Sequence, residues 1–242
     1  MVNAFSFCLF GPTSGIYHRG FLENVEIIKN RYPGWVVYVY LAPDTDSGFI
    51  AHCRTLPTVR IRFTTTLGFD NTIWRFYAID EPDVEVCFFR DADSRVHWKD
   101  RWAIDSFINS NGFKAHVIRD HKEHTAMIAA GMWGLRKGVI PSICALYEQW
   151  TPIFAGNGDP ADITGFGIDQ NFLTRCIYPL IQSSMLLHYS NNCIFLNETG
   201  IEFPFTWSND IYCGRQERNF VDAQGPRKMG LRLPSVVTKI SR

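Results

Sequence analysis

The strongest constraint on this chain is the run Val84-Glu85-Val86-Cys87-Phe88-Phe89, followed at once by Arg90-Asp91-Ala92-Asp93-Ser94. Six positions rich in β-branched and aromatic residues read as a strand buried in a sheet. The strand ends in two aspartates at i and i+2. In an α/β sheet, ligands gather where strands end at their carboxyl edge. Asp91 and Asp93 are therefore delivered where two hard oxygen donors can hold a divalent cation, Mg²⁺ or Mn²⁺, with diphosphate oxygens among its other ligands. An Asp-x-Asp pair by itself is frequent in solvated turns, so its surroundings in the chain decide its meaning.

Those surroundings alternate strand and helix. Ala4 to Phe10 is apolar and is broken by Gly11-Pro12-Thr13-Ser14-Gly15. Phe21, Leu22, Val25 and Ile28 then follow helical spacing, Tyr32-Pro33-Gly34 turns the chain, and Trp35 to Leu41 reads as a second strand. A strand, loop, helix and strand in this order predict a parallel βαβ unit with its first loop at the carboxyl edge. Val59 to Phe63 predicts a third strand, Asn71 to Ile79 a helix containing Arg75, Trp98 to Ser110 another helix, and Lys114 to Ile118 another strand. In Ala129-Ala130-Gly131-Met132-Trp133-Gly134-Leu135, glycines flank a large flat residue, which suits either close backbone approach to a ligand or a strand with packing glycines. Pro141 is placed to open a helix. Gly156-Asn157-Gly158-Asp159-Pro160 reads as a flexible loop, Asp169 precedes an apolar helix for which it would serve as N-cap, and Met185 to His188 reads as a short strand. The expected architecture is a single α/β domain with a mostly parallel central sheet flanked by helices, over 1–214, with a basic extension over 215–242.

Composition narrows the partners. Lys plus Arg and Asp plus Glu each number 24, so nothing in the balance predicts a nucleic-acid surface. The seven cysteines are widely spaced without a Cys-x-x-Cys pair, and Cys8, Cys87, Cys144 and Cys176 fall in apolar periodic segments. Reduced, buried thiols and a cytoplasmic setting are expected. No basic region opens the chain and no apolar run approaches the roughly 20 residues of a membrane span.

Taken in order, these stretches resemble the landmarks of GT-A fold, DxD-motif glycosyltransferases. The resemblance is closest to the retaining glycogenin-like and lipopolysaccharide galactosyltransferase-like group and to small bacterial or large-DNA-virus relatives, and it runs over about residues 1–190. It implies a nucleotide-sugar donor, by default a UDP-sugar, received by the first loop at Phe10, Gly11 and Tyr17. Arg75 would touch the donor, Asp91 and Asp93 would carry the metal, and Gly131 and Trp133 would lie beside the sugar. Asp169-Gln170-Asn171-Phe172-Leu173 matches the Asp-Gln helix start at the reacting centre, and His188 would complete the metal site. After His188 the chain reads Tyr189-Ser190-Asn191-Asn192, without the group's His-x-x-Gly-x-x-Lys-Pro-Trp signature.

The residues support transfer chemistry. A cation on Asp91 and Asp93 would neutralise a departing diphosphate, and Arg75 would add charge-assisted bonds. Asp169 would act as general base in an inverting reaction; in a retaining one, which the Asp-Gln pair favours by resemblance, Asp169 or Gln170 would support the oxocarbenium-like carbon. His121 and His124 are candidates for contacting a carbohydrate or glycoprotein acceptor; spacing of three on a helix would also suit metal ligands, but two histidines without a third partner are more often surface or core residues. One rival is a haloacid-dehalogenase-like phosphotransferase, which resembles this stretch but wants Thr or Val where Arg95 stands. The other is a nucleotide-sugar-binding module without turnover.

Overall fold

A computed structural model describes residues 1–12, 15–155, 165–195, 197–204, 212–216 and 237–238. The opening strand β1 (Val2–Leu9) has aromatic and leucine side chains at Phe5, Phe7 and Leu9 and small ones at Ala4, Ser6 and Cys8. Strand alternation sends the two sets to opposite faces. Phe5, Phe7 and Leu9 pack with Phe21, Val25 and Ile28 of α1 (Ile16–Arg31). The small set leaves room on the other face for the segment Gly68–Ile79, whose Phe76 packs with Ala4 and Cys8. That segment winds as a 3₁₀ helix where the periodicity predicts an ordinary one. It is drawn tight by tethers: buried Asn71 donates to the Leu9 carbonyl and accepts from the Thr64 hydroxyl, and Ser6 Oγ donates to the Arg75 carbonyl at 2.7 Å.

The chain continues as β2 (Val36–Leu41), α2 (Ser47–Arg54), β3 (Val59–Phe63), β4 (Val84–Phe89), α3 (Trp98–Ile108), β5 (Ala115–Arg119), β6 (Trp133–Arg136), α4 (Ile143–Ala155), α5 (Ile168–Phe172), β7 (Met185–Tyr189), β8 (Thr199–Glu202) and β9 (Val237–Thr238). Among the described residues these make one nine-stranded sheet in the order β3-β2-β1-β4-β6-β5-β7-β8-β9. β3, β2, β1 and β4 are parallel, as are β5, β7 and β8; β6 runs against both β4 and β5. The mostly parallel sheet flanked by helices is the architecture expected from the sequence. The crossovers from β1 lead outward to β2 and β3, while β4 pairs on the other side of β1. The carboxyl ends of β1 and β4 therefore flank a topological switch point, where such folds open a crevice.

Several local expectations are corrected. α4 begins at Ile143 rather than Pro141, because the Asp80 carboxylate accepts from the N–H groups of Ile143 and Cys144 at 3.0 Å and from Ser142 Oγ at 2.9 Å. α5 has Gly167, in the left-handed region at φ 88°, as its cap; Asp169 lies inside the helix and accepts from the Gln170 N–H. Cys8 and Cys87 are buried, whereas Cys144 and Cys176 are half-buried; all seven cysteines are free thiols. The loop 156–160 lies outside the described residues, as does the basic stretch after 214 apart from Arg215, Gln216 and β9. Among the described residues no helix is long and apolar enough to cross a membrane.

Candidate active site

At the switch point one arginine holds two carboxylates. Arg75, carried by the 3₁₀ segment beneath β1, is buried, and its guanidinium places Nη1 2.8 Å from Asp91 Oδ1 and Nη2 2.6 Å from Asp169 Oδ2. A planar fork with fixed donors suits this bridging task, which a single ammonium could not share between two partners in the same way. Burial opposes the Arg75 charge, but Asp91, Cys8 and Asp169 outweigh it, so its pKa is raised. Burial raises the Asp169 carboxyl above its ordinary range, Asp91 adds to the rise, and Arg75 counters it.

The loop after β4 is fixed from beneath by residues that carry no sequence signature of function. Gly20 of α1 lets the Ala92 carbonyl approach so closely that a Cβ there would stand 2.0 Å from it. Buried Asn24 donates to the Ser94 carbonyl at 2.8 Å and accepts from the Val96 N–H at 2.9 Å. Arg95 is buried and pairs with Glu23 at 2.7 Å. Thus the position where a phosphotransferase would want Thr or Val holds a structural arginine. With its backbone pinned on both sides, the loop presents Asp91 and Asp93 together.

They open into a cleft of about 600 Å³ lined by Phe10, Tyr17, Arg75, Asp91, Asp93, Asp169 and Gln170, all expected from the sequence, and by Cys8, Phe69, Thr72, Ala129, Ala130 and Phe166 among others. Gly11, behind Phe10, donates its N–H to Asp44 Oδ2 at 3.1 Å. Phe10, Phe69 and Phe166 form an edge-to-face ladder with centroids 5.6 and 5.2 Å apart. Phe166 stands 84% exposed between Gly165 and Gly167, both at positive φ. Burial, and then Asp93 and Asp91, raise the Tyr17 phenol.

The donor set fits a hard divalent cation. Asp91 uses Oδ1 for Arg75 and Asp93 uses Oδ2 for Gln216 Nε2 at 2.8 Å, so each keeps its second oxygen. Burial and then the Asp91 charge raise Asp93, the sign of two carboxylates held together at a cost that a cation would offset. All-oxygen donors select Mg²⁺ or Mn²⁺ over softer metals. A second group, His97, Asp100 and Cys213, brings ligand-type atoms within 4.8 Å of one another, but Asp100 there closes the α3 capping box and holds Arg90 at 3.3 Å.

Four expectations are corrected. His188 does not join the aspartates: β6 and β5 stand between β7 and β4, and His188 is fully buried between Trp102 and Phe203 with Nδ1 2.9 Å from His116 Nε2. Trp133 is fully buried in β6 against Phe89 and Phe76 and does not line the cleft. Gly131 does permit close approach, but of the site's own carboxylate: a Cβ there would stand 2.2 Å from Asp91 Oδ2. Gln170 lines the cleft, yet its amide is spent on backbone, accepting from the Ala130 N–H at 3.2 Å and donating to the Ile128 carbonyl. It positions the Ala129–Ala130 wall.

His121 and His124 lie in a turn after β5 rather than on a helix, their rings 5.8 Å apart, with Tyr212 stacked on His121 at 4.2 Å. Burial, with His121 adding to it, lowers His124 to about 4. Neither is among the residues lining the cleft.

No protein-family profile and no curated protein matches the chain. Among solved structures, its fold is similar to that of the galactosyltransferase LgtC in complex with donor and acceptor sugar analogues, with a TM-score of 0.50 and 12% identity over 78% of this chain and 76% of that one. A glycosyltransferase involved in glycosylation of the major capsid of PBCV-1 aligns at a TM-score of 0.47 and 16% identity, over 78% of this chain and 82% of that one. GlyE of Streptococcus pneumoniae TIGR4 aligns at 0.48 and 12%, over 77% of this chain and 45% of that one. The switch-point sheet with a reversed strand beside β4 is a single GT-A-like α/β fold.

Proposed function

We propose that this chain is a metal-dependent glycosyltransferase that moves a sugar from a nucleoside-diphosphate donor, a UDP-sugar in the first instance, to a hydroxyl of a carbohydrate or glycoprotein acceptor. The observation that carries the reading is the Asp91–Arg75–Asp169 bridge at the switch point, with Asp93 beside it and a cleft large enough for a nucleotide-sugar. When bound, Mg²⁺ or Mn²⁺ on Asp91 and Asp93 would neutralise charge developing on the departing diphosphate. Arg75 keeps Asp91 and Asp169 at a fixed separation and restrains both before substrate arrives, so little reorganisation is left for the reaction step. Asp169 turns a half-withdrawn carboxylate toward the cleft, suited to facing an electron-poor anomeric carbon. The Gln170 amide is engaged by Ile128 and Ala130, and we assign the reacting-centre role to Asp169, the charged member of the pair, whose oxygens are held in place by Arg75 and the Gln170 N–H.

Retention is the stereochemical outcome we favour, on the Asp-Gln resemblance. Against the phosphotransferase alternative stand Arg75 on Asp91, which would blunt that carboxylate as a nucleophile, and the structural use of Arg95.

The test is thermal unfolding of the full chain with Mn²⁺ and a panel of nucleoside diphosphates, repeated with chelator and with Asp93→Ala, followed by transfer and hydrolysis assays with sugar nucleotides of the base that binds. A ligand at about a hundred times its Kd stabilises by roughly 2.7 kcal/mol. A shift lost with chelator and in the variant supports the site. No shift with any nucleotide sinks the reading, and binding without transfer or hydrolysis favours a non-catalytic module.

A further inference from the structure

Residues 212–216 return from the far part of the chain and lie across the loops that leave β4 and β5. Tyr212 stacks on His121 with an interplanar angle of 22°. The Cys213 N–H donates to Asp120 Oδ2 at 2.9 Å, and its side chain is fully buried. Gly214, at φ 83°, brings its backbone against Met132, where a Cβ would stand 2.8 Å from the sulfur. Gln216 pairs with Ser94 in an antiparallel backbone bridge. Anchors on four of the five residues thus deliver one side chain to the metal loop, and that side chain meets Asp93: Nε2 lies 2.8 Å from Oδ2.

An amide has two chemically opposite ends of nearly equal shape. Facing a bare carboxylate, the N–H end is the favourable one. Facing a cation that draws in Asp93 Oδ2 as well as its free oxygen, the N–H end is repelled and the carbonyl oxygen is attracted. A half-turn about the last side-chain bond exchanges them without moving the anchored backbone. Mg²⁺ and Mn²⁺ take about six oxygen ligands, so two aspartates with diphosphate oxygens leave positions that water or a nearby protein oxygen fills, and the Gln216 amide is the polar group held against Asp93.

We propose that Gln216 is the third protein ligand to the divalent cation, supplying Oε1 in the place that His188, buried under α3, does not reach. The assignment rests on the metal–donor reading above. It also gives the 212–216 segment a function: the cation that binds the donor ties down the strand crossing the site's edge.

The experiment is titration of Mn²⁺ into the purified full chain, reading free Mn²⁺ by electron paramagnetic resonance, for the wild type, Asp93→Ala, Gln216→Ala and Gln216→Glu. Loss of the ligand in Gln216→Ala is expected to weaken Mn²⁺ about tenfold or more. Gln216→Glu is expected to bind at least as tightly as the wild type, while melting lower than the wild type without metal because two carboxylates then face each other. Weaker Mn²⁺ binding by Gln216→Glu than by Gln216→Ala overturns the assignment, because a carboxylate at a ligand position would strengthen it. Wild-type affinity in Gln216→Ala, with binding lost in Asp93→Ala, overturns the Gln216 role and leaves the metal site standing. No Mn²⁺ binding by the wild type overturns both.

Discussion

The buried histidine pair makes the chain acid-sensitive in a way that can be worked out. His116 on β5 and His188 on β7 are both fully buried, joined Nε2 to Nδ1 at 2.9 Å, and enclosed by Phe88, Phe107, Trp102 and Phe203. Their outer nitrogens, His116 Nδ1 and His188 Nε2, have no partner among the described residues. Burial lowers His188 to about 3; burial, then His188 and Arg90, lower His116 well below its ordinary value. In the unfolded chain both titrate near 6.5. Below that pH the unfolded chain takes up protons that the folded chain refuses, so the stability present above pH 6.5 is lost as pH falls toward 3. For His188 alone the loss between pH 7 and pH 4.5 is about 2.5 kcal/mol, because only the two pH units below 6.5 contribute fully, at roughly 1.4 kcal/mol each, and His116 adds in the same direction. Against a total stability of about 5–15 kcal/mol, that is a large share. The perturbation is His116→Phe with His188→Phe, which keeps ring shape and removes both proton acceptors and their unpartnered nitrogens. Urea unfolding followed by circular dichroism at pH 7.0 and 4.5 gives the loss for each protein, and carboxylates common to both cancel in the difference. The double variant should lose at least about 2.5 kcal/mol less than the wild type over this interval. An equal loss in both proteins would refute the assignment of acid sensitivity to the pair. Retained Mn²⁺ binding by the variant would separately check that His188 is core rather than ligand.

Further perturbations act on the site. Arg75→Met leaves Asp169 withdrawn from solvent without its cation, and urea unfolding at pH 7 should show a loss of about 3 kcal/mol; an unchanged stability would remove Arg75 as the clamp. Gly131→Ala drives a methyl into the Asp91 carboxylate, so Mn²⁺ affinity should fall about tenfold or more, and wild-type affinity would count against Asp91 as a ligand. Asp169→Asn should cut kcat by about 10²–10³ with donor Kd unchanged, whereas a matched rise in Kd would make Asp169 a binding residue only. Phe166→Ala removes a mostly exposed ring from the cleft lining, so stability should stay within about 0.5 kcal/mol while the KM for donor or acceptor rises; unaltered values for both would separate the aromatic ladder from substrate binding.

The strands that build the site were legible because each is a short apolar run that ends in a charge or a turn residue. Val59–Phe63 and Val84–Phe89 stand where their runs predict. α2 was missed because only Phe49 and Cys53 of its eight residues are buried, too few to impose a period. The reversal of β6 was not legible either. A run of apolar residues states that a strand is buried and says nothing of its direction, which is set here by pairing against both β4 and β5.

The same division explains the site. Phe10, Tyr17, Asp91, Asp93 and Asp169 sit at or near the ends of elements, and the carboxyl edge of the sheet gathers such residues whatever their distance in sequence; Arg75, inside its 3₁₀ segment, reaches them through its long side chain. The misplaced residues are those whose meaning depends on what crosses the sheet from elsewhere. Gly131 and Gly134 correctly signalled close approach, but what comes close is the Asp91 carboxylate and the Phe88 ring, both from β4 or its loop, rather than a bound sugar. Every residue of β7 is buried, since Met185, Leu187 and Tyr189 pack on one face of the sheet and Leu186 and His188 on the other, so the alternation that would have marked His188 as inward-facing is absent. Gln216 lies in a stretch whose charges and glycines suggest only a solvated tail, and its contact with Asp93 exists because Tyr212, Cys213 and Gly214 each find a partner first. A residue placed by its own element can be read from the chain; one placed by a neighbour's anchors becomes visible only when the neighbour does.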